Sequence, residues 1–254
     1  MDLDEQKALA LFQQYVSSYN PQDGQVHLKI YHTFQVQKLA RQVAIALHLS
    51  EEDVELASII GLFHDIGRFE QIRRYHDFRD NLTVDHAHLG VEELQKGLLA
   101  QCVYSEKLQD IVLTAVEQHN KYRIDPSVKD ERTLLHCKII RDADKMDIFR
   151  VRARDTLENL AYFSQQELED SDVSEDILNT CLQHKTILRT EVKTPADSWI
   201  AGAALVFDIN FKESLHILKD TGYVEGMLHR FTFHKEKTRK AFEVIEKELL
   251  EYMQ

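Results

Sequence analysis

Leu56-Ala57-Ser58-Ile59-Ile60-Gly61-Leu62-Phe63-His64-Asp65-Ile66-Gly67-Arg68 is the stretch that decides how this chain folds. From Leu56 to Phe63 it is apolar on nearly every side of a helix, which predicts a central, buried element. Ser50, with Asp53 three residues on, reads as the N-cap that opens this helix, in the manner of a capping box with Asp in place of Glu. The helix is expected to run to about Gly67. His64 and Asp65 then fall at the end of a buried element, where charge must be paired or ligated.

Working outward, Val36, Leu39, Ala40, Val43 and Leu47 recur at helical spacing and predict a helix over about 30–48. A looser stripe over about 3–19 is broken by Asn20-Pro21-Gln22-Asp23-Gly24. Residues 68–85 crowd Arg68, Arg73, Arg74, His76, Asp77, Arg79 and Asp80 without a period, and read as a loop or short turns. Helices are expected again at about 86–101, 105–119, 132–147, from Phe149 to about Phe163, and at about 173–190, 197–218 and 235–252. With 8 Gly and 3 Pro in 254 residues, punctuation is sparse, which favours long helices over many strands. No repeat or flexible linker interrupts the pattern. The expectation is an all-α fold, a single helical domain over residues 1–254.

Composition excludes several roles. A formal net charge of −12 argues against a broad duplex nucleic-acid surface, which needs a basic field. A small anionic substrate stays open, because bound cations reverse the local sign. Cys102, Cys137 and Cys181 are odd in number, widely spaced and mostly in apolar settings, as reduced thiols are. No apolar run approaches membrane-spanning length, and the acidic first residues lack a signal peptide's apolar segment, so a cytoplasmic protein without membrane contact is expected.

An adjacent His and Asp offer one metal ion a nitrogen and an oxygen, and the second carboxylate oxygen can reach another ion. His32, His86, His119 and Asp144 stand near helix ends at wide spacings, where side chains on one side of a bundle converge. Four imidazoles and two carboxylates make a complete set for two divalent cations, a standard device for attacking phosphate esters. Such a His-rich set suits Mn, Fe, Co, Ni or Zn better than Mg. His48, His184, His216 and His234 read as ordinary core or surface histidines.

The ordered set His…His-Asp…His…His…Asp resembles the HD-domain superfamily of metal-dependent phosphohydrolases. His64-Asp65-Ile66-Gly67 matches its core motif literally, His86-Ala87-His88-Leu89-Gly90 resembles its third motif and Val116-Glu117-Gln118-His119-Asn120 its fourth. Ala143-Asp144-Lys145-Met146-Asp147 resembles the last metal motif, which favours Asp144 over Asp142, as the third favours His86 over His88. The resemblance implies an HD metal-binding core over 27–150 and a C-terminal helical extension over 151–254.

With both middle histidines present, the chain resembles the dinuclear branch. That likeness implies one ion on His32, His64, Asp65 and Asp144 and a second on Asp65, His86 and His119, bridged by Asp65. The cyclic-dinucleotide branch carries Lys after the core motif and a Gly-Tyr-Pro motif after the fourth His. Here Arg68 follows Gly67, and Asn120-Lys121-Tyr122-Arg123 follows His119, so cyclic di-GMP is a poor fit.

The implied activity is phosphomonoesterase or phosphodiesterase hydrolysis of a phosphate ester or anhydride, on a nucleotide or another small phosphorylated metabolite. Asp65 and Arg68 are the expected catalytic residues. Arg68, Lys121 and Arg73 are candidate substrate contacts, Arg68 through a bidentate grip on phosphate. Two other classes share the ligand order: a dinuclear iron oxygenase of the myo-inositol oxygenase type, and a regulatory module that keeps the metal site without turnover.

Overall fold

The computed structural model describes residues 2–160 and 163–254. It is all-α, and among these residues the only β-type pairing is an isolated antiparallel bridge between Leu3 and Val103. The expected helix reaching Phe163 falls partly on residues 161–162, outside the described set. The chain divides into two compact units, Met1–Asp144 and Lys145–Gln254.

The first unit is built on α1 (Glu5–Val16), α2 (Gly24–Ala46), α3 (Glu51–Phe63), α4 (Ile66–Tyr75), α5 (His86–Glu93), α6 (Glu106–Gln118) and the first part of α7 (Glu131–Arg154). Ser50 caps α3 by accepting from the Asp53 amide, and Glu51, Glu52 and Asp53 place negative charge in its first turn, where the helix dipole favours it. Every residue from Leu56 to Phe63 is buried, with α1, α2 and α6 packed around it. Burying each large aliphatic or aromatic side chain there stabilises the unit by roughly 1.5–3 kcal/mol. The α2–α3 approach is close enough that a Cβ on Gly61 would lie 2.8 Å from the Gln37 Cα.

Several helix boundaries differ from the sequence reading. The central helix stops at Phe63, and Glu131–Arg154 is one helix where two were expected. The helix expected over 173–190 ends at Leu182, and 197–218 is divided between Pro195–Ala203 and Lys212–Thr221. The α2 helix starts at Gly24, because the Asp23 side chain accepts from the amides of Gln25 and Val26. The stretch after Gly67 is helix as far as Tyr75, with Ile66, Phe69 and Ile72 buried at three-residue spacing beneath the exposed Arg73 and Arg74. The dense charge hid that stripe. His76 ends α4 in the left-handed region, at φ 54°.

The second unit holds the end of α7 and then α8 (Leu157–Leu160), α9 (Gln165–Glu169), α10 (Glu175–Leu182), α11 (Pro195–Ala203), α12 (Lys212–Thr221), α13 (Tyr223–Leu228) and α14 (Glu236–Tyr252). Thr194 and Asp197 form a capping box at the start of α11, with Pro195 in its first turn. Its core centres on Trp199, which is 1 % exposed and donates from Nε1 to the Met227 carbonyl at 3.0 Å. The Arg152 guanidinium lies 5.3 Å from the Trp199 ring centre. No helix among the described residues is long and apolar enough to cross a membrane.

Candidate metal centre

The α3 helix ends at His64 and α4 is capped by Asp65, so the two neighbours stand at a break between two buried helices. His32 projects from the middle of α2, His86 opens α5, His119 caps the end of α6, and Asp144 lies within α7. All six side chains come together in the first unit. His32, His64 and Asp144 form one group of potential ligands, and Asp65, His86 and His119 a second.

Asp65 links the two. Its Oδ2 lies 3.7 Å from both His32 Nε2 and His64 Nε2, while its Oδ1 lies 3.3 Å from His86 Nε2 and 3.6 Å from His119 Nε2. Asp144 Oδ1 completes the first group, 3.1 Å from His32 Nε2 and 3.8 Å from His64 Nε2. His32, His64, Asp65, His86 and His119 are each at most 4 % exposed.

The hydrogen bonds fix which ring nitrogen faces inward. His64 Nδ1 donates to the Gly61 carbonyl at 2.8 Å and His119 Nδ1 to the Val116 carbonyl at 2.6 Å. His86 Nδ1 donates to Asp80 Oδ2 at 2.6 Å. A carbonyl only accepts, so each neutral ring carries its proton on Nδ1 and turns an Nε2 lone pair into the site. His64 Nε2 is buried with no hydrogen-bond partner. His86 Nε2 and His119 Nε2 lie 3.1 Å apart, two lone pairs face to face unless a proton or cation comes between them. An orphaned buried acceptor and an opposed pair of acceptors suit cation ligation, and the residues fit a divalent metal.

The electrostatics agree. Burial drives His64 down to about 4, against the pull of Asp65 and Asp144, so it is neutral and available as a ligand. Burial pushes the Asp65 carboxyl up, but the Lys29 ammonium and the surrounding imidazoles outweigh it and hold the group well below the usual carboxylate range. Asp144 is likewise held low, burial being outweighed by His32 and His64.

Two contributors escaped the sequence reading. Lys29, one turn before His32 on α2, places Nζ 2.7 Å from Asp65 Oδ2. Asp80 anchors the outer nitrogen of His86. Spacing was the available signal for Lys29, since i and i+3 share a helix face. The expected cations are all engaged with acceptors. Arg68 Nη1 donates to Asp80 Oδ1 at 2.8 Å, to Gln71 Oε1 at 2.8 Å and to the Phe78 carbonyl at 2.7 Å, while its Nε is buried without a hydrogen bond, 3.8 Å from Asp65 Oδ1. Lys121 pairs with Asp85 and Glu117, and Arg73 with Glu70. Cys102, Cys137 and Cys181 are buried free thiols that take no part in either ligand group.

The HD domain family model matches residues 30–148, a span that holds all six of these side chains. That segment is an HD domain. HD domains indicate the metal-dependent phosphohydrolase superfamily, whose members are mostly hydrolases, and they bind divalent metals. No curated protein and no solved structure matches the chain.

Proposed function

We propose that this HD domain holds two divalent transition-metal ions and hydrolyses a phosphate ester or anhydride of a nucleotide or another small phosphorylated metabolite. The observation that carries the reading is Asp65, whose two oxygens face two separate groups of ligands. One group would be His32, His64 and Asp144 with Asp65 Oδ2, the other His86 and His119 with Asp65 Oδ1. Bound there, the ions would supply Lewis-acid polarisation of phosphate and a nucleophile from water at neutral pH.

The chain's own residues would do the rest. Asp65 and Asp144 keep their negative charge at neutral pH and so keep affinity for cations in a buried site. The three rings whose Nδ1 protons are committed cannot rotate without losing a hydrogen bond, which preorganises their lone pairs. Lys29, whose side chain is 20 % exposed, brings a positive charge to the Asp65 Oδ2 side, where an anionic phosphate would dock. Arg68 stands on the Oδ1 side with its unpartnered Nε. These two are the phosphate contacts this reading favours.

The test is phosphate release from a panel of nucleotides and sugar phosphates, with Mn or Fe supplied to chelator-stripped protein. Asp65→Ala should abolish both turnover and tight metal binding. Turnover retained in that variant, with contaminating phosphatases excluded, would sink the reading. Oxygen uptake with firmly bound iron and no phosphate release would instead identify an oxygenase of the myo-inositol type, and metal binding without either reaction a regulatory module.

A further inference from the structure

The segment between α4 and α5 is held down by two side chains from α4. Gln71 is fully buried and donates from Nε2 to Asp80 Oδ1 at 2.9 Å, to Thr83 Oγ1 at 2.8 Å and to the Val84 carbonyl at 3.0 Å. Arg68 Nη1 grips the same Asp80 oxygen and the Phe78 carbonyl, both within 2.8 Å. Four residues of an otherwise irregular stretch, Phe78, Asp80, Thr83 and Val84, are thereby fixed to a buried helix. The other Asp80 oxygen is left to receive His86 Nδ1 at 2.6 Å. Asn120, directly after His119, approaches that oxygen at 3.5 Å.

We propose that Asp80 is the positioning residue of the Asp65–His86–His119 group, and that Arg68 and Gln71 act on that group through it. The inference rests on the two-ion reading above and adds to it the residues that aim one ligand. His64 and His119 bond backbone carbonyls of their own helices, but His86 is the first residue of α5 and has no preceding turn to bond. Its ring orientation therefore has to come from elsewhere in the sequence, and Asp80 supplies it. An ionised carboxylate on the outer nitrogen also makes the inner one a stronger donor to a cation. Arg68 gains a role distinct from gripping substrate: its Nη1 holds a loop carboxylate in place. Asp80 and Asp85 also cluster with His86, but Arg68 neutralises the first and Lys121 the second, so this acidic group is occupied internally.

The experiment is a calorimetric titration of chelator-stripped full-length protein with Mn, comparing wild type, Asp80→Ala, Asp80→Asn, Arg68→Met and His86→Ala. Two binding events are expected for wild type and one for His86→Ala. Asp80→Ala should weaken one event on the order of ten- to a hundredfold and leave the other within about twofold. Asp80→Asn, which keeps an acceptor without its charge, should fall between. Arg68→Met should weaken the same event by several-fold, with no further loss when combined with Asp80→Ala. Should Asp80→Ala not fold, Asp80→Asn and Arg68→Met carry the comparison. Unchanged binding in the Asp80 variants beside a lost event in His86→Ala overturns this inference alone, and so does equal weakening of both events. Two undiminished events in His86→Ala overturn the ligand assignment on which this inference rests, and a single event in wild type overturns the two-ion reading itself.

Discussion

The Lys29 ammonium sits 2.7 Å from Asp65 Oδ2, the oxygen that also faces His32 and His64. A lysine there supplies the positive charge that the buried carboxylate needs in the metal-free protein, and any cation entering that side has to share the oxygen or displace it. Lys29→Met should therefore do two opposite things. It should destabilise the metal-free protein by about 2 kcal/mol, somewhat below the usual cost of breaking a fully buried pair because the lysine is partly exposed. It should also tighten binding at that side by about tenfold. Thermal unfolding with and without chelator, together with a metal titration, measures both. An unchanged metal affinity would mean that Lys29 does not compete for Asp65.

His119 should decide the metal count. His119→Ala removes one of the three potential ligands of its group while leaving His32, His64 and Asp144 in place. At saturating Mn, elemental analysis should read one ion per chain in the variant and two in the wild type, the ions lying roughly 3.5–4 Å apart if they work as a catalytic pair. A wild-type protein that takes a single ion places the domain among mononuclear members.

Gly67 is constrained by space. A Cβ on it would lie 2.1 Å from the His86 carbonyl oxygen and 2.5 Å from the Gly90 nitrogen, both backbone atoms of α5. Gly67→Ala must push α4 and α5 apart, and the cost should reach about 3 kcal/mol, the upper part of the range for overpacking. Urea unfolding reads this directly. Because His86 moves with α5, binding at its group should weaken as well. A variant of wild-type stability would show that the two helices separate freely.

Acid stability should follow a partly buried pair, Asp53 and His136, away from the centre. Asp53 accepts from His136 Nε2 at 3.0 Å and from Arg132 Nε at 2.7 Å, and these bonds outweigh burial to bring its carboxyl down to about 2. Burial lowers His136, against the pull of Asp53. For Asp53 the stabilisation is complete above the unfolded value near 4 and disappears as pH falls through about 2. His136, also lowered, loses its contribution as pH falls from its ordinary value near 6.5 through its folded value, so both groups destabilise on acidification. The Asp53→Asn variant should be about 2 kcal/mol less stable than wild type near neutrality. The gap should close as pH is lowered from about 4 to about 2, which denaturant midpoints across that range would show. A constant gap would assign the loss to packing.

The central helix was legible because Leu56 to Phe63 leave no polar face, and the ligand candidates because His and Asp next to each other in an apolar run have few other uses. The α4 helix was not legible. Its buried stripe is three residues wide, Ile66, Phe69 and Ile72, and Arg68, Glu70, Arg73 and Arg74 mask it. Glu70 is itself buried and engaged by both arginines, a pairing that only the folded helix reveals. Asp80 looked like loop charge because its partners come from positions 68, 71 and 86, brought together by the turn between α4 and α5. For Arg68 the sequence signalled a cation beside the core motif but not where its Nη1 is directed.

His64 and His119 share one local geometry. Each caps a helix, and each turns its outer nitrogen onto the carbonyl three residues back, an acceptor that the last helical turn leaves unsatisfied. The aim of the ring thus comes with the way the helix stops and requires no help from neighbouring segments. Such a terminus is a transferable module. Grafted onto the ends of two helices in an unrelated bundle, it would present two imidazoles already locked in one tautomer, whereas a side chain like His86 could be moved only together with the loop that steers it.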